Sequence, residues 1–91
     1  MRFVLTEAQQ KKLGRQIRSY RLISGLSVAE LGRRLEVNPQ YISNWEGGRS
    51  LPSVRQYGLA CQELGIPKEL VFHEVLEMIY ANFKRSFYKG A

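Results

Sequence analysis

The sequence predicts an all-α fold of five helices in a single domain spanning residues 1–91. Three observations predict it. Apolar residues recur at helical spacing in five segments, and no segment alternates as a half-buried strand does. Capping residues stand just ahead of these segments: Thr6, Ser27, Asn38 and Ser53. Stops follow them at Gly25, Gly47–Gly48 and Gly65.

The first helix is expected from Glu7 to Ile23. Thr6 with Gln9 makes a capping box, and Leu13, Ile17 and Tyr20 form its apolar stripe. The second is "VAELGRRL". Ser27 caps it, Glu30 completes a second box, and Leu31 and Leu35 point inward. Gly32 is a poor helix former, about 1 kcal/mol worse than Ala, so its use is close approach of another helix. After the turn "EVN", the third helix opens on Asn38 and Pro39, with proline where a missing N–H costs nothing. The fourth follows "LPS". Ser53 and Gln56 cap it, and Val54, Tyr57, Ala60 and Leu64 form its inner stripe. The fifth starts at Pro67, covers about 67–85, and places Phe72, Val75, Leu76, Ile79 and Phe83 on one stripe.

The 91 residues suffice for one small core. Cys61 is the single cysteine, which excludes an intramolecular disulfide and fits a reducing compartment. It lies among apolar residues of the fourth helix and reads as a small buried hydrophobe. No run approaches a membrane span, and the apolar start is too short for a signal peptide, so the expectation is a cytoplasmic protein. His73 and Glu77 stand at metal-ligand spacing, but two ligands do not make a site, and the chain has no other histidine. Neither a metal nor a cofactor is expected. No nucleophile–base pair points to an enzyme.

The net charge is +6, and its placement is uneven. Residues 1–55 hold ten Lys and Arg against four Glu, while residues 56–91 hold four against four. A basic half beside a neutral half points to a polyanion partner, nucleic acid first. The alternative is a merely soluble basic surface.

The third helix sits in the basic half and has two unlike faces. Ile42 and Trp45 want a core, whereas Gln40, Ser43 and Asn44 are small, uncharged and polar. Gln and Asn carry a donor and an acceptor on one plane, so they can pair bidentately with adenine N6 and N7. Two short helices joined by a three-residue turn, the second amide-faced, describe a helix-turn-helix.

From Leu13 to Phe72 the chain resembles the Cro/C1-type (XRE) helix-turn-helix family of phage repressors and bacterial regulators. The strongest stretches are "LSVAELGRRLEVNPQYISNWEGGRSLPS" and "LACQELGIPKELVF". The resemblance covers about two-thirds of the chain and implies a lambda-repressor-like fold that binds double-stranded DNA. It places Gln40 and Asn44, with Ser43 between them, at base edges. It places Arg49 and Tyr41 at phosphates, with the N-terminus of the second helix, Ser27 and Val28, also facing the backbone. Many relatives have Gln where this chain has Val28, so one side-chain contact is missing. The resemblance also pairs Arg21 with Glu46 as a structural ion pair.

Relatives usually carry Gly in the turn, where this chain has Glu36. A positive φ there would cost roughly 1–2 kcal/mol, unless the turn is built differently. The fifth helix has more apolar surface than capping the core requires, which implies a homodimer through Phe72, Val75, Leu76, Ile79 and Phe83. Restriction–modification controller proteins of this family dimerise in that way. The competing expectation is a protein-interaction module, an antitoxin or adaptor, that kept the fold and lost DNA binding.

Overall fold

The computed structural model describes residues 5–71. Four helices follow in order: α1 (Glu7–Ile23), α2 (Val28–Leu35), α3 (Pro39–Glu46) and α4 (Val54–Leu64). Residues 68–71 form the opening turn of a fifth, with the Leu70 and Val71 amides both donating to the Pro67 carbonyl. No strand occurs among the described residues. The rest of the fifth helix expected from sequence, including Phe72, Val75, Leu76, Ile79 and Phe83, lies outside them, as do His73 and Glu77.

Capping chemistry sets the helix starts. The boxes at Thr6–Gln9 and Ser53–Gln56 form in both directions. Only half of the expected box forms at α2. Ser27 Oγ accepts from the Glu30 amide at 3.0 Å, but the Glu30 side chain does not reach back to the Ser27 N–H. Asn38 Oδ1 accepts from the Gln40 amide at 2.9 Å, and Pro39 takes the first helical position.

The helix ends share one solution. Each helix is followed by a residue in the left-handed region, and the next amide donates back to a carbonyl five residues earlier. These bonds are Leu26 to Arg21 (3.1 Å), Val37 to Gly32 (2.9 Å), Arg49 to Asn44 (2.9 Å) and Ile66 to Cys61 (3.0 Å). Glycine fills the left-handed position three times. At the end of α2 it is Glu36, with φ 57° and ψ 41°, the sole non-glycine residue of positive φ among those described. The turn therefore keeps the geometry that glycine serves and bears the strain.

The core is one cluster drawn from all four helices. Leu13, Ile17, Leu31, Ile42, Tyr57 and Ala60 are fully buried, and Trp45 and Leu64 nearly so. Cys61 is buried with them, while Val54 and Tyr20 are half-buried. Helix α3 packs on both α1 and α2, and α4 closes the other side of the same pair. Gly32 admits the turn and the first residue of α3. A Cβ there would lie 2.9 Å from the Val37 carbonyl oxygen and 3.3 Å from Pro39.

Candidate nucleic-acid interface

An eight-residue helix is marginal alone, so tertiary contacts must hold α3. Its inner face is anchored by Ile42 and Trp45 in the core. Its C-terminal end is anchored to α1 by a buried ion pair. Arg21 Nε donates to Glu46 Oε2 at 2.6 Å, and Nη2 donates to Oε1 at 2.9 Å. Both side chains are more than nine-tenths buried. Arg21 Nη1 also donates to the Leu26 carbonyl at 2.8 Å, so one guanidinium ties α1 to the turn before α2 and to α3. The Glu46 hydrogen bond raises the Arg21 pKa above its ordinary value; burial opposes this, and the attraction of the two charges adds to it.

Two further contacts at this end give no clear sequence signal. Gly14 of α1 lies directly under the last turn of α3. A Cβ built there would stand 2.2 Å from the Trp45 carbonyl oxygen and 3.0 Å from that of Glu46. The signal was an isolated glycine within an amphipathic helix, which marks close packing without naming the partner. Gln10 Nε2 donates to the Gly48 carbonyl at 2.8 Å, fastening the loop after α3. On the far side of α1, the Tyr57 hydroxyl donates to Gln16 Oε1 at 2.5 Å, joining α4 to the same helix.

The outer face of α3 is polar and accessible. Gln40 and Tyr41 are exposed, and Ser43 and Asn44 are half-buried. Gln40 Nε2 donates to Asn44 Oδ1 at 3.1 Å, one turn along the helix. Arg49 does not project away from this face. Its guanidinium folds back over Gly47, with Nε donating to Asn44 Oδ1 at 3.2 Å and Nη2 donating to the Ser43 carbonyl at 3.1 Å. Gln40, Ser43, Asn44 and Arg49 thus form one continuous polar surface.

The charged side chains of α1 and α2 differ in availability. Arg15, Arg18 and Arg33 are exposed. Arg34 lies 3.6 Å from Glu63, and Lys11 lies 3.3 Å from Glu7. Ser27 and Val28 begin α2, and the incomplete box leaves the Ser27 amide without a side-chain partner. No group of three or more metal-binding side chains occurs among the described residues, and no described helix is long and apolar enough to cross a membrane.

The fold and this surface define an all-α helix-turn-helix protein, with α2 and α3 as the two helices of the motif. Residues 12–73 match the family model described as "Helix-turn-helix domain", and the chain belongs to that family. Two solved structures of the clp gene regulator ClgR from Corynebacterium glutamicum are similar to it. One is 29% identical, with 84% of this chain and 94% of the other covered, at a TM-score of 0.65. The second is 27% identical, with 89% and 87% covered, also at 0.65. A mutant of the restriction–modification controller protein C.Esp1396I shares the fold at 20% identity, with 78% and 95% covered and a TM-score of 0.63. No curated protein matches the chain.

Proposed function

We propose that this protein is a sequence-specific, double-stranded DNA-binding transcriptional regulator that acts in the cytoplasm and reads bases with the outer face of α3. The observation that carries the reading is the division of α3 into two faces. Ile42, Trp45 and Glu46 fasten it to the core, while Gln40, Ser43 and Asn44 stand together outside. That division suits a helix whose outer side enters the major groove. The basic balance of residues 1–55 supplies attraction for phosphates, and the likeness to ClgR, a regulator of clp genes, supports regulation as the outcome.

Phosphate contacts fall to Tyr41, Arg49 and the amides of Ser27 and Val28. Those amides lie at the positive end of α2, and a phosphate can occupy the place that Glu30 leaves unfilled. One such helix reads only a few base pairs. Two copies related by a two-fold axis would read a palindrome with half-sites about one helical turn apart, ~34 Å. We assign the contact between copies to Phe72, Val75, Leu76, Ile79 and Phe83. An apolar groove lined by Cys61, Ile66 and Val71, beside the opening turn of the fifth helix, offers apolar surface of the kind such a contact needs and supports the assignment. Residues 1–91 then act as one domain, with 67–85 joining the copies.

Selection of bound duplexes from a randomised pool tests the reading. A common motif is expected. Gln40→Ala or Asn44→Ala should cost about 1–3 kcal/mol on the selected site and hardly change binding to random DNA. If both variants weaken selected and random duplexes equally, the outer face of α3 is not the reading face.

A further inference from the structure

We propose that Arg49 is a positioning residue that fixes the amide of Asn44, so that Asn44 presents only donors to the groove and reads an acceptor edge, guanine before adenine. The proposal rests on the reading of α3 as the base-contacting helix and narrows what that helix reads. Its ground is the direction of two hydrogen bonds. Arginine is a donor only, and its Nε–H points at one Asn44 atom, 3.2 Å away. That atom must be the oxygen, since an NH₂ group there would set donor against donor. The usual ambiguity of an asparagine amide is thus removed by a neighbour that cannot turn over. Gln40 Nε2 donates to the same oxygen at 3.1 Å, so Asn44 Oδ1 accepts from Arg49 on one side and from Gln40 on the other.

The two amides consequently differ in what they have left. Both lone pairs of Asn44 Oδ1 are engaged, leaving the two N–H donors of Nδ2. Guanine offers two acceptors, O6 and N7, to such a group, whereas adenine offers one acceptor and one donor. Gln40 spends one N–H on Asn44 and keeps Oε1 and its second N–H, which is the pair that adenine requires. The seat of Arg49 is equally specific. Its guanidinium lies over Gly47, where a Cβ would meet Nη1 at 2.6 Å and Cζ at 3.0 Å. Gly47 has φ −82°, so alanine fits the backbone there and excludes only the folded-back arginine.

Gly47→Ala therefore displaces Arg49 while keeping its charge, and Arg49→Ala removes both. Full-length protein and each variant, with Asn44→Ala as the reference, are used to select duplexes from the same randomised pool. The wild type should enrich a motif with a guanine whose preference vanishes in Asn44→Ala. At that position Gly47→Ala and Arg49→Ala should both lose most of a roughly tenfold discrimination against adenine. A wild-type preference for adenine at the Asn44-dependent position would overturn the proposal. So would a motif unchanged in both variants, even if Arg49→Ala weakened all duplexes, since that marks a phosphate contact alone. A wild-type protein that enriches no motif would instead remove the reading of α3 itself, and this proposal with it.

Discussion

Replacing Gly14 with alanine should destabilise the domain, although alanine is the better helix former. The added Cβ would lie 2.2 Å from the Trp45 carbonyl oxygen, a distance that carbon and oxygen do not tolerate. Helices α1 and α3 must part by about 1 Å to restore ordinary contact. The atom in the way is backbone, so no rotamer change relieves it. The parting also stretches the Arg21–Glu46 bonds, which join the same two helices at 2.6 and 2.9 Å. Overpacking of this kind costs about 3 kcal/mol at the upper end of its usual range. The gain in helix propensity returns about 1 kcal/mol. The net loss is about 2 kcal/mol, out of about 5–13 kcal/mol for a chain of this size.

Gly58 of α4 is the matched control. It is exposed and helical, and a Cβ there would meet nothing within 4 Å. Gly58→Ala should therefore stabilise by about 0.5–1 kcal/mol. Thermal and urea unfolding of the full chain measure both, with two-state behaviour checked by coincident probes. The expected fall in Tm for Gly14→Ala is about 8–16 °C. If Gly14→Ala melted at or above the wild-type temperature, α3 would not sit against α1 at this point.

Three further outcomes are expected. Glu36→Gly removes roughly 1–2 kcal/mol of left-handed strain and adds up to about 1 kcal/mol of unfolded-chain entropy, so urea melts should show stability unchanged or raised; clear destabilisation would mean that the Glu36 side chain contributes something stronger than the strain. Glu46→Ala strands a buried guanidinium and should cost about 3–5 kcal/mol, while the double variant with Arg21→Leu should be less damaging than the sum of the singles; additive losses in that cycle would show that the two groups do not act as a pair. Replacing Ile79 or Phe83 with a charged residue should give a folded monomer that loses affinity for a palindromic site much more than for random DNA; sedimentation of a wild type that stays monomeric at tens of micromolar with DNA present would exclude the proposed dimer.

The helix boundaries were legible because their signals are local. A hydroxyl or amide at Thr6, Ser27, Asn38 or Ser53 meets an amide two or three residues away, so sequence spacing and spatial contact coincide. The same holds for Ile42 and Trp45, whose burial follows from helical period. Contacts between distant segments were legible only in part. Pairing Arg21 with Glu46 drew on a family pattern, and nothing in the sequence marked the third bond of Arg21, to the Leu26 carbonyl. Gly14 is one glycine inside α1, and the carbonyls it meets are 31 and 32 positions away, so its identity does not name them. The half-formed box at Ser27 and the fold-back of Arg49 depend on side-chain torsions, which residue identity leaves open.

The position of α3 is therefore a property of the whole domain. Alone, eight residues with a proline at the first and no charge in the last turn but Glu46 would hardly be helical in water. Four independent attachments replace that missing stability: the cap at Asn38, the core seat of Ile42 and Trp45, the Arg21 clamp on Glu46, and the closed ending at Gly48 fastened by Gln10. Two of the four, the clamp and the closed ending, act at the C-terminal end, and Trp45 adds to them there, so that end is held to α1 while the N-terminal end rests on the cap and on α2. Displacing the C-terminal end by 1 Å would carry Asn44 and Arg49 with it and leave Gln40 nearly in place. Gly14→Ala should thus impair recognition at the base pair assigned to Asn44 more than at that assigned to Gln40. Quantitative binding to duplexes changed at one position at a time, at a temperature where the variant is fully folded, would register the difference; equal losses at both positions would mean that α3 moves as a rigid body.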